Sequence, residues 1–100
     1  ERGEVIGQVR FQLIAGEWIV GTNIDRIHRG KGYASKIIKM ATLEFLKNHS
    51  DQDIVAFIKE QNQLSLRSFL TAGYRHQSEN VSDHTGIYRL TYNSKPDLHD

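Results

Sequence analysis

The run Asp53-Ile54-Val55-Ala56-Phe57-Ile58-Lys59 is apolar at odd and even positions alike. A half-buried strand alternates, so a short run with no polar face predicts a central strand covered on two sides. Such a strand needs sheet neighbours, and the flanking sequence supplies them. Val5 to Gln12 alternates, with Val5, Gly7, Val9 and Phe11 on one face and Ile6, Gln8, Arg10 and Gln12 on the other. Ala15-Gly16 stands where a hairpin turn belongs, and Glu17 to Ile24 reads as a second strand. Asp25 to Gly30 is a polar, basic loop. From about Lys31 the period changes, and Ala34, Ile37, Ile38, Ala41 and Phe45 recur at helical spacing until Asn48-His49-Ser50.

After the apolar strand, Asn62 opens a second helix with Leu66, Phe69 and Leu70 on its inner face, and Gly73 is placed to end it. Tyr74 begins another strand. Ile87 to Tyr92 is the last, with Tyr88, Leu90 and Tyr92 on one face. The expected order is β-β-α-β-α-β-β, an α/β or α+β domain with a mixed sheet flanked by helices.

A chain of 100 residues supports one domain with one modest core. Residues 1–92 are read as that domain, and the polar stretch Asn93 to Asp100, with Pro96, as a frayed tail. Thirteen basic residues against twelve acidic ones leave a net charge of +1, so any anion site must be local. The chain has no cysteine, which excludes disulfides, thiolate metal sites and a cysteine nucleophile, and fits a cytoplasmic location. No apolar run is long enough to span a bilayer, and Glu1-Arg2-Gly3-Glu4 is not a secretory signal. The five histidines show no metal-ligand spacing, so no metal is expected.

The chemistry concentrates in Ile24-Asp25-Arg26-Ile27-His28-Arg29-Gly30-Lys31-Gly32-Tyr33-Ala34. A strand runs into a glycine-bearing turn that opens a helix. Free N–H groups and the positive dipole end at a helix start bind anions. Gly30 and Gly32 allow close backbone approach, Ala34 keeps the next turn slim, and Arg29 and Lys31 add positive charge. The ligand to expect is a phosphate or pyrophosphate. A Walker loop is excluded by spacing. A dinucleotide fingerprint is excluded because Gly30-Lys31-Gly32-Tyr33-Ala34-Ser35 ends in serine and no acidic residue stands about 20 residues on at the end of a next strand, Asp51 and Asp53 coming before it.

Arg29-Gly30-Lys31-Gly32-Tyr33-Ala34 resembles the Arg/Gln-x-x-Gly-x-Gly/Ala pyrophosphate loop of the GNAT acetyltransferase superfamily. One helix and one strand later, Asn62-Gln63-Leu64-Ser65 followed by Phe69 and Gly73-Tyr74 resembles that family's second motif. The resemblance covers roughly residues 5 to 92. Gly7-Gln8-Val9-Arg10-Phe11 and Ala56-Phe57-Ile58-Lys59 with Asn62 and Ser65 are similar to GNAT domains of bacterial amino-sugar nucleotide biosynthesis.

The resemblance implies an N-acetyltransferase that uses acetyl-CoA as co-substrate and a primary amine as acceptor. The strand before the loop would splay from its neighbour, with the main chain of Asn23 and Ile24 holding the pantetheine arm. The N–H groups of Arg29, Gly30, Lys31, Gly32, Tyr33 and Ala34 would hold the pyrophosphate, and Asn62, with Ser65 beside it, would reach the pantetheine. A plain helix N-cap is the alternative for Asn62, and the two roles are compatible. Many family members carry a proton-donating tyrosine seven residues after the asparagine, where this chain has Phe69. Glu17 is a candidate base acting through water, against a solvated hairpin charge. Arg10 and Trp18 either face the acceptor or pack. The family's opening strand and two helices would precede Val5, so the chain is expected to be part of a longer protein or to receive them in trans. A non-catalytic acyl-CoA-binding module is the rival class. A nucleic-acid module built on Arg26, Arg29, Lys31, Lys36 and Lys39 is weakened by the near-neutral charge and the lack of a stacking platform.

Overall fold

A computed structural model describes residues 2–22, 33–77 and 86–94. The elements are β1 (Arg2–Ile6), β2 (Val9–Ile14), β3 (Glu17–Thr22), α1 (Tyr33–Asn48), β4 (Ile54–Lys59), α2 (Gln63–Thr71), β5 (Arg75–His76) and β6 (Ile87–Tyr92). The strands form one mixed sheet in the order β1-β2-β3-β4-β6-β5. All neighbours are antiparallel except β3 and β4, the parallel pair joined through α1. The fold is therefore α+β, as expected, with β4 in the interior of the sheet.

The single strand expected over Val5 to Gln12 is two strands. Ile6 pairs with Val9 across the two-residue turn Gly7-Gln8, and Gly7 has φ 62°. Glycine at the first position of a two-residue hairpin meets the backbone demand of a primed turn. The alternation hid this turn. Val9 and Phe11 are buried as expected, but Val5 is 67% exposed because Ile6 and not Val5 joins their face. The second turn falls on Ala15-Gly16 as expected, both residues having positive φ (52° and 82°).

Register assigns the two faces of the sheet. Phe11 lies beside Val20, and Val20 beside Ala56. Ala56 in turn lies beside Leu90. This row faces both helices, and Ile38 and Phe45 of α1 and Phe69 of α2 close over it. Phe45 is the centre of the packing. It stacks on Phe11 at 4.3 Å and on His49 at 4.2 Å, with Trp18 edge-on at 4.9 Å. Burial of one such ring contributes roughly 1.5–3 kcal/mol. His49 Nε2 meets Glu4 Oε1 at 2.8 Å and ties the carboxyl end of α1 to β1. Trp18, 5% exposed, belongs to this packing and not to an acceptor surface.

The inner face of α2 differs from expectation. Ser65, Ser68, Phe69 and Ala72 are its buried stripe, Leu66 is partly buried, and Leu70 is 38% exposed. Leu70 sits one step past the i, i+3, i+4, i+7 positions that face the sheet. Gly73 ends α2 as expected. Its N–H donates to Leu70 O and the Tyr74 N–H to Phe69 O, at 3.1 and 3.0 Å, the pattern of a Schellman cap. Gly73 has φ 112°, and a Cβ there would stand 3.0 Å from the Tyr92 ring.

Of the two covered sides expected for β4, one is covered by helices and the other only in part. Ile54, Ala56 and Ile58 are buried under the helices. On the opposite face Val55 is 4% exposed, but Phe57 is 49% exposed. What lies over that face is a polar network. Arg89 of β6 forms an ion pair with Glu17 of β3, and its guanidinium lies 5.3 Å from the Phe57 ring centroid. Arg89 Nε also donates to Gln77 Oε1 at 2.6 Å.

Candidate functional site

A gap opens in the sheet between the two parallel strands. Pairing of β3 with β4 runs from Trp18–Ile54 to Val20–Ala56 and stops, although β3 continues to Thr22 and β4 to Lys59. Both strands keep their outer partners beyond that point. Gly21 and Thr22 pair with Arg10 and Val9, and Phe57, Ile58 and Lys59 pair with Arg89, Tyr88 and Ile87. The facing edges thus carry backbone N–H and C=O groups that do not pair with each other. An extended ligand can add to such edges by main-chain hydrogen bonds. Carboxyl ends of parallel strands are where open sheets bind ligands.

Chain connectivity brings two helix starts to the same rim. A helix that links parallel neighbours runs back against them, so α1 begins at the carboxyl ends of β3 and β4. Its first residue is Tyr33, 56% exposed, followed by Ala34, 1% exposed. No acidic residue lies in the first turn of α1, so no side chain of that turn opposes its positive end. Three residues separate the end of β4 from the start of α2, the last of them, Asn62, being its N-cap. Asn62 Oδ1 accepts from the Ser65 N–H at 3.1 Å, the capping role weighed as the alternative. None of the described hydrogen bonds uses its amide nitrogen, and Asn62 is exposed. Ser65 is 7% exposed and supports the cap through its backbone.

Asn23, Ile24, Arg29, Gly30, Lys31 and Gly32 lie outside the described residues. Tyr33, Ala34, Asn62 and Ser65 all belong to the starts of the two helices that follow the gap strands.

Phe69, Tyr74 and Glu17 sit elsewhere. Phe69 is 3% exposed and meets Tyr74 edge-on at 5.1 Å in the core. Tyr74 is 1% exposed, and its hydroxyl is 2.8 Å from Thr42 Oγ1. Burial pushes the Tyr74 phenol well above its ordinary value, only partly opposed by the hydrogen bond to Thr42. Glu17 begins β3 at the end away from the gap, about 13 Å of strand from Gly21. Its carboxylate oxygens are engaged by Arg89, one at 3.4 Å from Nη1 and the other by Nη2.

A cleft of about 470 Å³ lies beside the gap, lined by Val5, Gly7, Gln8, Val9, Arg10, Gly21 and Thr22. Sequence reasoning left Gly21 aside, although a glycine inside a strand is itself a signal of a bulge or of close approach by a ligand. Among the described residues no group of His, Cys, Asp and Glu is arranged to hold a metal ion.

The fold matches solved structures. A Bordetella pertussis protein assigned to the GnaT acetyltransferase family superposes with a TM-score of 0.65 at 21% identity, over 84% of this chain and 55% of that one. A GNAT-family acetyltransferase from Bacillus anthracis superposes equally well, TM-score 0.65 at 21% identity, over 88% of this chain and 58% of its own. The chain has the GNAT fold. It spans a little over half the length of these two relatives. The sequence matches no protein-family model and no curated protein.

Proposed function

We propose that the chain belongs to the GNAT superfamily and is the acetyl-CoA-binding portion of an N-acetyltransferase acting on a primary amine. The observation that carries this reading is the parting of β3 and β4 after Val20–Ala56, at the rim where both helices begin. Two unpaired strand edges fit a pantetheine arm, which is extended and carries amides that need partners. In this reading the main chain of Asn23 and Ile24 holds that arm. The N–H groups of residues 29–34 hold the pyrophosphate at the start of α1, and Asn62 offers its amide nitrogen to the arm while its oxygen caps α2.

Acetyl-CoA would supply a thioester carbonyl and a thiolate leaving group. The amine nitrogen forms its bond to the carbonyl carbon, the carbon–sulfur bond breaks, and the proton lost by nitrogen balances the one gained by sulfur. The strand N–H groups facing the gap polarise the carbonyl oxygen. Neither Phe69 nor the buried Tyr74 donates to the sulfur, so that proton comes from water or from another residue, Tyr33 at the start of α1 being an exposed phenol. Glu17 is left out of the reaction because it starts the far end of β3 and holds Arg89. No covalent intermediate on the protein is needed, in keeping with a chain that has no cysteine.

An amino-sugar nucleotide is the acceptor we favour, on the resemblance of Gly7–Phe11 and Ala56–Ser65; a protein or small-molecule amine is the variant. A cytoplasmic setting completes the reading, and no described helix is long and apolar enough to cross a membrane. Phe69, which has no proton to give where many family members have a tyrosine, favours one other reading, a non-catalytic acyl-CoA-binding module.

Calorimetric titration with acetyl-CoA, repeated on Gly32→Glu, tests the cofactor site. Saturable binding that the glutamate abolishes supports it, and no binding to the folded chain removes it. Release of free thiol with an amine acceptor then separates the enzyme from the binding module.

A further inference from the structure

We infer that the amine acceptor carries an anionic group, carboxylate or phosphate, which Arg10 anchors in the cleft over Gly21. This rests on the acetyl-transfer reading above and adds the substrate class. Three observations converge. Val5, Arg10 and Gly21 form one row across β1, β2 and β3, on the sheet face opposite the helices. That row runs into the gap, because Gly21 is the first β3 residue beyond the last β3–β4 pair.

Gly21 has no backbone reason to be glycine. Its φ is not positive, and a Cβ built there would meet nothing within 4 Å. The missing side chain leaves open space over the strand beside the gap, as expected where a ligand lies against the backbone. Among the described residues Arg10 is the one charged residue lining the cleft, and no carboxylate lines it. Arg10 has no ion-pair partner among the described residues, whereas Arg89, on the same face of the sheet, is held by Glu17 and Gln77.

A guanidinium offers paired donors that match carboxylate and phosphate oxygens. Arg10 and Gly21 stand on adjacent strands, about 4.8 Å apart, so an anion held over Gly21 lies beside the gap.

The test is an NMR titration of the chain with matched amines. The phosphate arm compares 3-aminopropyl phosphate with 3-aminopropanol. The carboxylate arm compares 4-aminobutanoate with 4-aminobutanamide. Expected is saturable movement of the Arg10 and Gly21 amide signals, with an anionic amine bound roughly 10- to 100-fold more tightly than its neutral partner. Which arm shows the larger preference identifies the anion. Arg10→Gln should erase the preference, Arg10→Lys should restore part of it, and added salt should shrink it. Gly21→Ala, whose Cβ meets nothing within 4 Å, should weaken all four amines by taking up space over the strand.

Equal binding of charged and neutral amines, a preference that survives Arg10→Gln, or no binding of any amine overturns the inference. Acetyl-CoA binding is measured on the same samples and keeps the two ideas apart. If acetyl-CoA binds and no anionic preference is seen, this inference falls alone. If the Arg10-dependent preference is present and acetyl-CoA does not bind, the acetyl-transfer reading falls and the cleft stands as an anion site.

Discussion

Arg89 reaches Glu17 across β4. β3 and β6 flank β4 on either side, so an ion pair between them must pass over its outer face, where Val55 and Phe57 lie. The two residues are 72 positions apart in the chain. The guanidinium also holds Gln77 and lies against the Phe57 ring, so one side chain ties three strand edges and shields apolar surface.

Arg89→Ala should destabilise the fold by roughly 1–2 kcal/mol, more through lost packing on Phe57 than through lost charge. The pair is partly exposed, with side chains 35% and 44% accessible, so its coupling should be at most about 1 kcal/mol and should fall with salt. A double-mutant cycle with Glu17→Gln in urea reads it. Coupling well above that figure would mean the pair is more desolvated than its exposure indicates.

Asn62→Ser separates the capping role from the ligand role. Serine caps a helix about as well as asparagine, so stability should change by a few tenths of a kcal/mol at most. The side-chain amide donor is lost, so acetyl-CoA affinity should fall roughly 5- to 10-fold. Asn62→Ala should lose about 1 kcal/mol of stability as well. Unchanged affinity in the serine variant would confine Asn62 to the cap.

Tyr74 makes stability depend on alkaline pH. Its folded pKa lies above the unfolded value of about 10 because burial penalises the phenolate. The neutral phenol's contribution is therefore complete below pH 10 and declines as pH rises above it, by about 1.4 kcal/mol per pH unit. Tyr74→Phe should remove this part of the decline. Below pH 10 it should cost roughly 1–3 kcal/mol by leaving the buried Thr42 hydroxyl unpaired. Urea midpoints of both proteins between pH 8 and about 11 check the sign.

Ala15→Asn should stabilise the second hairpin by roughly 0.5–1 kcal/mol. Ala15 has φ 52°, a left-handed conformation that costs an alanine about 1–2 kcal/mol, and Asn-Gly is the preferred pair for a turn with two positive φ values. Thermal unfolding measures the gain. A lower Tm would show that the larger side chain disturbs the pairing of Ile14 with Glu17.

The sequence by itself determined the local elements. The Ala15-Gly16 turn, the span of α1, the β4 strand, the Asn62 cap and the Gly73 terminus follow from periodicity and from residues with narrow backbone preferences. The Gly7-Gln8 turn escaped because alternation reappears on both sides of it. Only the pairing of Ile6 with Val9 reveals that the phase has slipped by one residue. The tertiary structure alone decided the strand order, the parting of β3 from β4 after Val20, and the arch of Arg89 over β4. Each depends on pairing between segments far apart in the chain, where many partners satisfy the same apolar pattern and only their joint packing selects one. The gap itself is one hydrogen-bond ladder, between β3 and β4, that stops short, and the pattern of side chains along either strand carries no mark of where it stops.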